Sequence, residues 1–185
     1  ITLAELAKLT ALSVDEVKED VKELEEQELL AVFEMRKDTY IWHMDSIREA
    51  QQTLVRALED YEKKYPYRYG MKKAEIQTMY FQKIKPNVFD RIVEFFVERG
   101  CIRRAEEFLC TPEFEVKKDG TYQKVAENFL NVFEKAGYDF VRYSEIDLKG
   151  VSRDMAVDIL TILLTEGKVV RGTYEMYTLA EYRGR

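Results

Sequence analysis

Few side chains in this sequence are of the kinds that carry covalent chemistry. There is one histidine, His43, beside the single tryptophan Trp42, and there are two cysteines, Cys101 and Cys110. A general base needs a nucleophile or an orienting partner within reach, and no serine motif or second histidine accompanies His43. A structural zinc site uses four Cys or His ligands, which these three scattered residues do not supply. A P-loop needs GxxxxGK[ST] so that backbone N–H groups can cradle phosphates, and no such run occurs. No catalytic residue, cofactor or metal is therefore expected in these residues. The two cysteines fit a reducing compartment better than a secreted one, with a Cys101–Cys110 cross-strand disulfide as the open alternative.

The remaining chemistry is that of binding. Net charge is −6, and all of it falls in Ile1 to Leu30, where Lys8, Lys18 and Lys22 face nine acidic residues. A helix there repels phosphates. The segment around Asn87, Arg91 and Arg99 is close to neutral. The most basic stretch is the last, with Lys149, Arg153, Lys168 and Arg171, so these four are the candidate nucleic-acid contacts, against the plainer alternative of a solvated face. One more cluster, Tyr65-Pro66-Tyr67-Arg68-Tyr69-Gly70-Met71, interleaves aromatic rings with an arginine, as single-strand binders do. The favoured reading is structural: Pro66 ends a helix, Gly70 permits a turn, and the rings pack between the helices they join.

The elements that hold these residues announce themselves by their helix starts. Thr2-x-x-Glu5, Ser13-x-x-Glu16 and Ser46-x-x-Glu49 match the capping box and predict helices beginning near residues 3, 14 and 47. Val14, Val17, Val21 and Leu24 continue the second helix to about Gln27. Leu29–Phe33 and Thr39–Trp42 then flank the polar turn Arg36-Lys37-Asp38, a predicted hairpin. The pattern returns: Lys85–Arg99 stops at Gly100 before a hairpin ending in Phe108–Thr111, and Ser152–Glu166 stops at Gly167 before Lys168–Arg171 and Met176–Leu179. Aligning Leu30, Ile102 and Val169 gives spacings of 72 and 67 residues, an internal repeat. The later repeats gain an opening helix, lined by Ile47, Leu54, Leu58 and Tyr61 and by Tyr122, Val125, Phe129 and Phe133.

The predicted fold is mainly α with short β-hairpins, an α+β chain of tandem winged helix-turn-helix units in an elongated array. The units are 1–45, lacking its opening helix, then 46–116 and 117–185, with Lys117-Lys118-Asp119-Gly120 as a linker. The start at Ile1, directly in a helical segment, reads as a piece of a longer polypeptide. No apolar run approaches the length needed to span a bilayer.

The segment from Ala57 to Ile76 resembles the signature of the bacterial selenocysteine-specific elongation factor (SelB) family. That signature has an aromatic residue and often a histidine late in a long helix, then Pro-Leu-Arg-x-Gly-Met or Leu, then a short helix. Pro66, Arg68, Gly70 and Met71 match, while Glu62 stands where the histidine is common and Tyr67 where leucine is. The resemblance implies a cytoplasmic translation factor whose GTPase, using GTP and magnesium, delivers selenocysteyl-tRNA to the ribosome. It also implies four C-terminal winged-helix units, the last of which chiefly grips the mRNA selenocysteine-insertion hairpin. These residues would then be the first three units: a monomeric arm, not itself an enzyme, that binds RNA weakly at most. A winged-helix DNA-binding transcription regulator and a protein–protein scaffold are the alternatives.

Overall fold

The structure, a computed structural model, describes residues 1–173 and 175–182. Helices α1 (Leu3–Thr10) and α2 (Val14–Glu26) start where their caps require. The Thr2 and Ser13 hydroxyls each accept an N–H at 3.2 Å, from Glu5 and Glu16, whose carboxylates accept the cap N–H groups in return at 2.9 and 3.2 Å. Each such cap is worth about 1 kcal/mol. The third predicted start differs. Helix α3 runs Met44–Lys64, beginning before Ser46, because its first N–H groups already have acceptors. Met44 N–H donates to the Leu29 carbonyl, and Asp45 N–H donates to His43 Nδ1 at 3.0 Å, so His43 serves as a helix-start acceptor.

Strands β1 (Leu30–Glu34) and β2 (Thr39–His43) form the first hairpin, whose turn is closed by Met35 N–H to Asp38 O at 2.8 Å. Its register pairs Ala31 with Trp42 and Phe33 with Tyr40, while Val32 pairs with Ile41. Side chains alternate across a strand, so these pairs face opposite ways. Leu30, Val32 and Ile41 pack with Ala7, Val17 and Val21 of α1 and α2. Ala31, Phe33, Tyr40 and Trp42 join a larger core instead, with Ile47, Leu54, Ile76, Ile92 and Phe96. A two-stranded sheet buried on both faces welds the first repeat to the second. Ile1–Lys63 and Gly70–Phe114 accordingly form one compact unit.

Within that unit α3 is followed by β3 (Met71–Lys72), α4 (Lys73–Tyr80), α5 (Pro86–Glu98), β4 (Arg103–Ala105) and β5 (Phe108–Cys110). Pro86 sits at the first helical position, where its missing N–H costs nothing. Strand β3 adds to the hairpin in the order β3-β5-β4, a third strand beyond the two predicted. Both cysteines are free thiols. Cys110 stands opposite Arg103 in the ladder, which leaves Cys101 two positions off the register a cross-strand disulfide would need.

The second compact unit comprises Lys64–Tyr69 and Glu115–Arg185. Its elements are α6 (Gly120–Ala136), β6 (Val141–Arg142), a 3-10 turn (Tyr143–Glu145), α7 (Arg153–Thr165), β7 (Val169–Arg171), β8 (Met176–Leu179) and a final 3-10 turn (Ala180–Tyr182). The sheet order is β6-β8-β7. Tyr122, Val125, Phe129 and Phe133 of α6 meet Ala156, Ile159, Leu160 and Leu163 of α7 in its core, which also takes in Tyr67. Lys117–Gly120 is not slack chain. Lys117 N–H donates to Pro66 O at 2.8 Å, Asp119 caps α6 by accepting Tyr122 N–H at 3.0 Å, and Lys118 pairs with Glu166. The segment stays largely solvent-facing, but a cap and an ion pair hold it in place.

Candidate nucleic-acid interface

Of the four basic residues only Arg153, its first residue, belongs to α7; the other three flank the helix. Lys149 lies in the turn before the helix with φ +52°, its N–H held by the Asp147 carboxylate at 2.9 Å. It borders a cleft of about 440 Å³ together with Lys124, Asn128 and Asn131 of α6. Those three neighbours were not legible as site residues, because the turn that brings Lys149 to them is fixed by the Asn128 amide donating to Asp147 O at 2.9 Å. Arg153 opens α7 and is exposed. Burial pushes the Tyr143 phenol above its usual range, and the Arg153 charge opposes that shift. The Tyr143 hydroxyl is buried without a hydrogen-bond partner among the described residues.

Lys168 follows the other end of α7, about 20 Å away for 13 residues. It is engaged with Glu166 at 3.2 Å, a carboxylate that Lys118 also bonds. Burial raises Glu166, but the two lysines outweigh it and hold the group below the usual range. Arg171 ends β7 opposite Tyr177 and is exposed. The structure thus gathers Lys149 with Lys124, and leaves Lys168 at the far end sharing Glu166 with Lys118.

Helix α5, the second helix of the other helix-turn-helix, gives one side to the first hairpin and keeps Asn87, Arg91, Glu94 and Glu98 exposed. Phe95 meets Phe33 of β1 edge to face, with ring centroids 5.6 Å apart, and the Arg99 guanidinium lies 4.3 Å over the Phe95 ring. Arg91, Glu94 and Glu98 look into a cavity of about 340 Å³ whose other walls include Glu25, Glu26 and Glu28. Phosphate is repelled from such a surface.

The Pro66–Met71 motif is structural at every position. Pro66 follows the end of α3 and its carbonyl takes the Lys117 N–H. Arg68 donates to Asp158 at 2.9 Å and stacks 3.8 Å over Tyr65. Burial raises the Asp158 carboxyl above its usual range, with Arg68 only partly opposing it. Tyr67, where leucine is common, donates its hydroxyl to Asp119 at 3.0 Å. A Cβ at Gly70 would lie 2.2 Å from the Leu109 carbonyl oxygen, so the close approach of β5, more than a turn, demands glycine. Met71 begins β3 and is buried beneath the hairpin. Glu62, where histidine is common, accepts the Thr111 N–H at 2.7 Å.

Helix, strand, helix, helix and hairpin, with the first strand closing the hairpin into a three-stranded sheet, define a winged-helix domain. Residues 55–109, which contain the whole motif, match the family model for the winged helix of elongation factor SelB; this stretch is a SelB-like winged helix. No curated protein matches the chain. Among the described residues no helix is long and apolar enough to cross a membrane, and no group of three or more His, Cys, Asp or Glu converges to hold a metal.

Proposed function

We propose that this chain is a positioning arm of a cytoplasmic selenocysteine-specific translation factor, built as three winged-helix units in tandem. The arm joins the GTPase and selenocysteyl-tRNA-binding part to the reader of the mRNA selenocysteine-insertion hairpin. GTP and magnesium chemistry, and the main hairpin contacts, are assigned to parts of the factor outside these residues, and the arm works as a monomer without catalysis. The SelB-like match over 55–109 supports the translational setting. The observation that carries the arm is the packing of Phe33 on Phe95, which commits one side of the helix that a DNA-reading winged helix would insert into a groove to joining two repeats. A rigid joint transmits position.

The test is RNA binding by the 185-residue chain. The expected result is weak affinity that falls steeply between roughly 50 and 200 mM salt. Nanomolar binding to a selenocysteine-insertion hairpin in physiological salt refutes the arm. A stable dimer that binds operator-length DNA, with loss of binding on Arg153→Ala or Arg171→Ala, would establish the transcription-regulator alternative instead.

A further inference from the structure

The turn between α4 and α5 shapes a second cavity on the first unit, of about 490 Å³, walled by Trp42 of β2 and by Met79, Tyr80, Phe81 and Lys83. Among the described residues, none that lines it is acidic. That is unusual on a chain of net charge −6, and the cavity beside α5 on the same unit is walled by five glutamates. Met79 and Tyr80 are 54% and 44% exposed. Lys83 and Lys85 both point to solvent, and among the described residues neither is ion-paired with a carboxylate. Lys85 instead approaches Tyr40, with its ammonium 3.4 Å from the hydroxyl and 6.0 Å from the ring centre. The indole N–H of Trp42 is buried and, among the described residues, meets no acceptor.

Aromatic walls and flanking lysines are what an unpaired nucleotide asks of a protein: a face to stack on and cations for its phosphates. A duplex keeps its bases stacked inward and would use only the lysines. An acidic peptide would use only the lysines as well, and an apolar one would leave them idle. We propose that this cavity takes a base of single-stranded RNA, stacked against Tyr80 and Trp42, with Lys83 and Lys85 on the adjoining phosphates. The proposal goes beyond the arm: it gives the first unit a weak RNA-guiding surface of its own.

Trp42 is the only tryptophan, so the site carries its own reporter. The whole chain is titrated with a short fluorescein-labelled oligoadenylate, following anisotropy and, with unlabelled oligonucleotide, Trp42 emission. RNA should quench Trp42 as it binds, and Tyr80→Ala and Lys83→Glu should each weaken binding about tenfold at roughly 50 mM salt, with unchanged thermal midpoints. Lys149→Glu and Arg153→Glu, in the other unit, should change it less than about twofold. Binding that survives both Tyr80→Ala and Lys83→Glu, RNA that leaves Trp42 emission unchanged, or occupation by an apolar peptide in place of RNA overturns the proposal. None of those outcomes touches the arm, which stands or falls on the Phe33–Phe95 joint and on hairpin affinity.

Discussion

Replacing Phe33 by alanine tests whether the first hairpin belongs to the second repeat's core. Phe33 is 3% exposed and its ring meets Phe95 edge to face. Burying a phenylalanine and then truncating it costs about 3–5 kcal/mol in well-packed cores. Phe95 is only half-buried and can relax toward the gap, which places Phe33→Ala near the low end, about 3 kcal/mol. Urea unfolding followed by Trp42 fluorescence should show that loss in the midpoint of the first unit. Amide exchange discriminates further. If hairpin and α5 open together, the amides of Ile92, Val93 and Phe96 should exchange about 100-fold faster in the variant, matching those of Val32 and Ile41. A double-mutant cycle with Phe95→Ala should return a coupling of about 1 kcal/mol. Faster exchange confined to β1 and β2, with α5 unaffected, would show that the hairpin is an appendage and refute the welded joint.

Gly70→Ala should destabilise the first unit by at least about 2 kcal/mol in the same urea assay, since the obstruction at 2.2 Å is Leu109 backbone that cannot step aside. Arg68→Ala leaves Asp158, with its side chain 14% exposed, without its cation, and should cost about 1–2 kcal/mol at neutral pH after allowance for the one-third exposure of Arg68. The pH dependence has a definite sign: the folded Asp158 pKa is already raised, so its stabilising share is present below the unfolded value and lost as pH rises through the folded one. Removing Arg68 raises it further, and the deficit in thermal midpoint should therefore shrink as pH falls toward about 4. Cys110 is fully buried and burial pushes its thiol up, so a thiol reagent should reach it only on unfolding while half-buried Cys101 reacts in the folded chain.

How much of this was legible varied with the range of the interaction. The caps at Thr2 and Ser13 are local, and their boxes formed as spelled; the core faces of α3 and α6 followed their 3.6 period. Strands β3 and β6 escaped notice because two residues cannot display an alternation. The double burial of the first hairpin did have a signal. Leu29-Leu30-Ala31-Val32-Phe33 is a continuous apolar run, which marks a strand covered on both faces, whereas a wing with one wet face would alternate. Gly70 shows the opposite limit: its glycine answers a carbonyl 39 positions further on, and no local pattern encodes that.

The same comparison separates a winged helix's architecture from its use. Helices α2, α5 and α7 are each 13 residues long and bury the same fourth and eighth positions: Val17 and Val21, Phe89 and Val93, Ala156 and Leu160. Their outer faces differ. That of α2 is acidic, that of α5 gives Phe95 to the joint and leaves Asn87, Arg91, Glu94 and Glu98 exposed, and that of α7 presents Asp154, Val157, Thr161 and Thr165. The two threonine hydroxyls of α7 turn back onto their own helix, donating to Val157 O and Thr161 O at 2.8 and 2.9 Å. Beyond Arg153, α7 therefore offers none of the Arg, Lys, Asn or Gln side chains that read base edges. Whatever nucleic acid this second unit meets would be held through phosphates by its flanks, Lys149, Arg153 and Arg171, which positions a strand without reading its sequence.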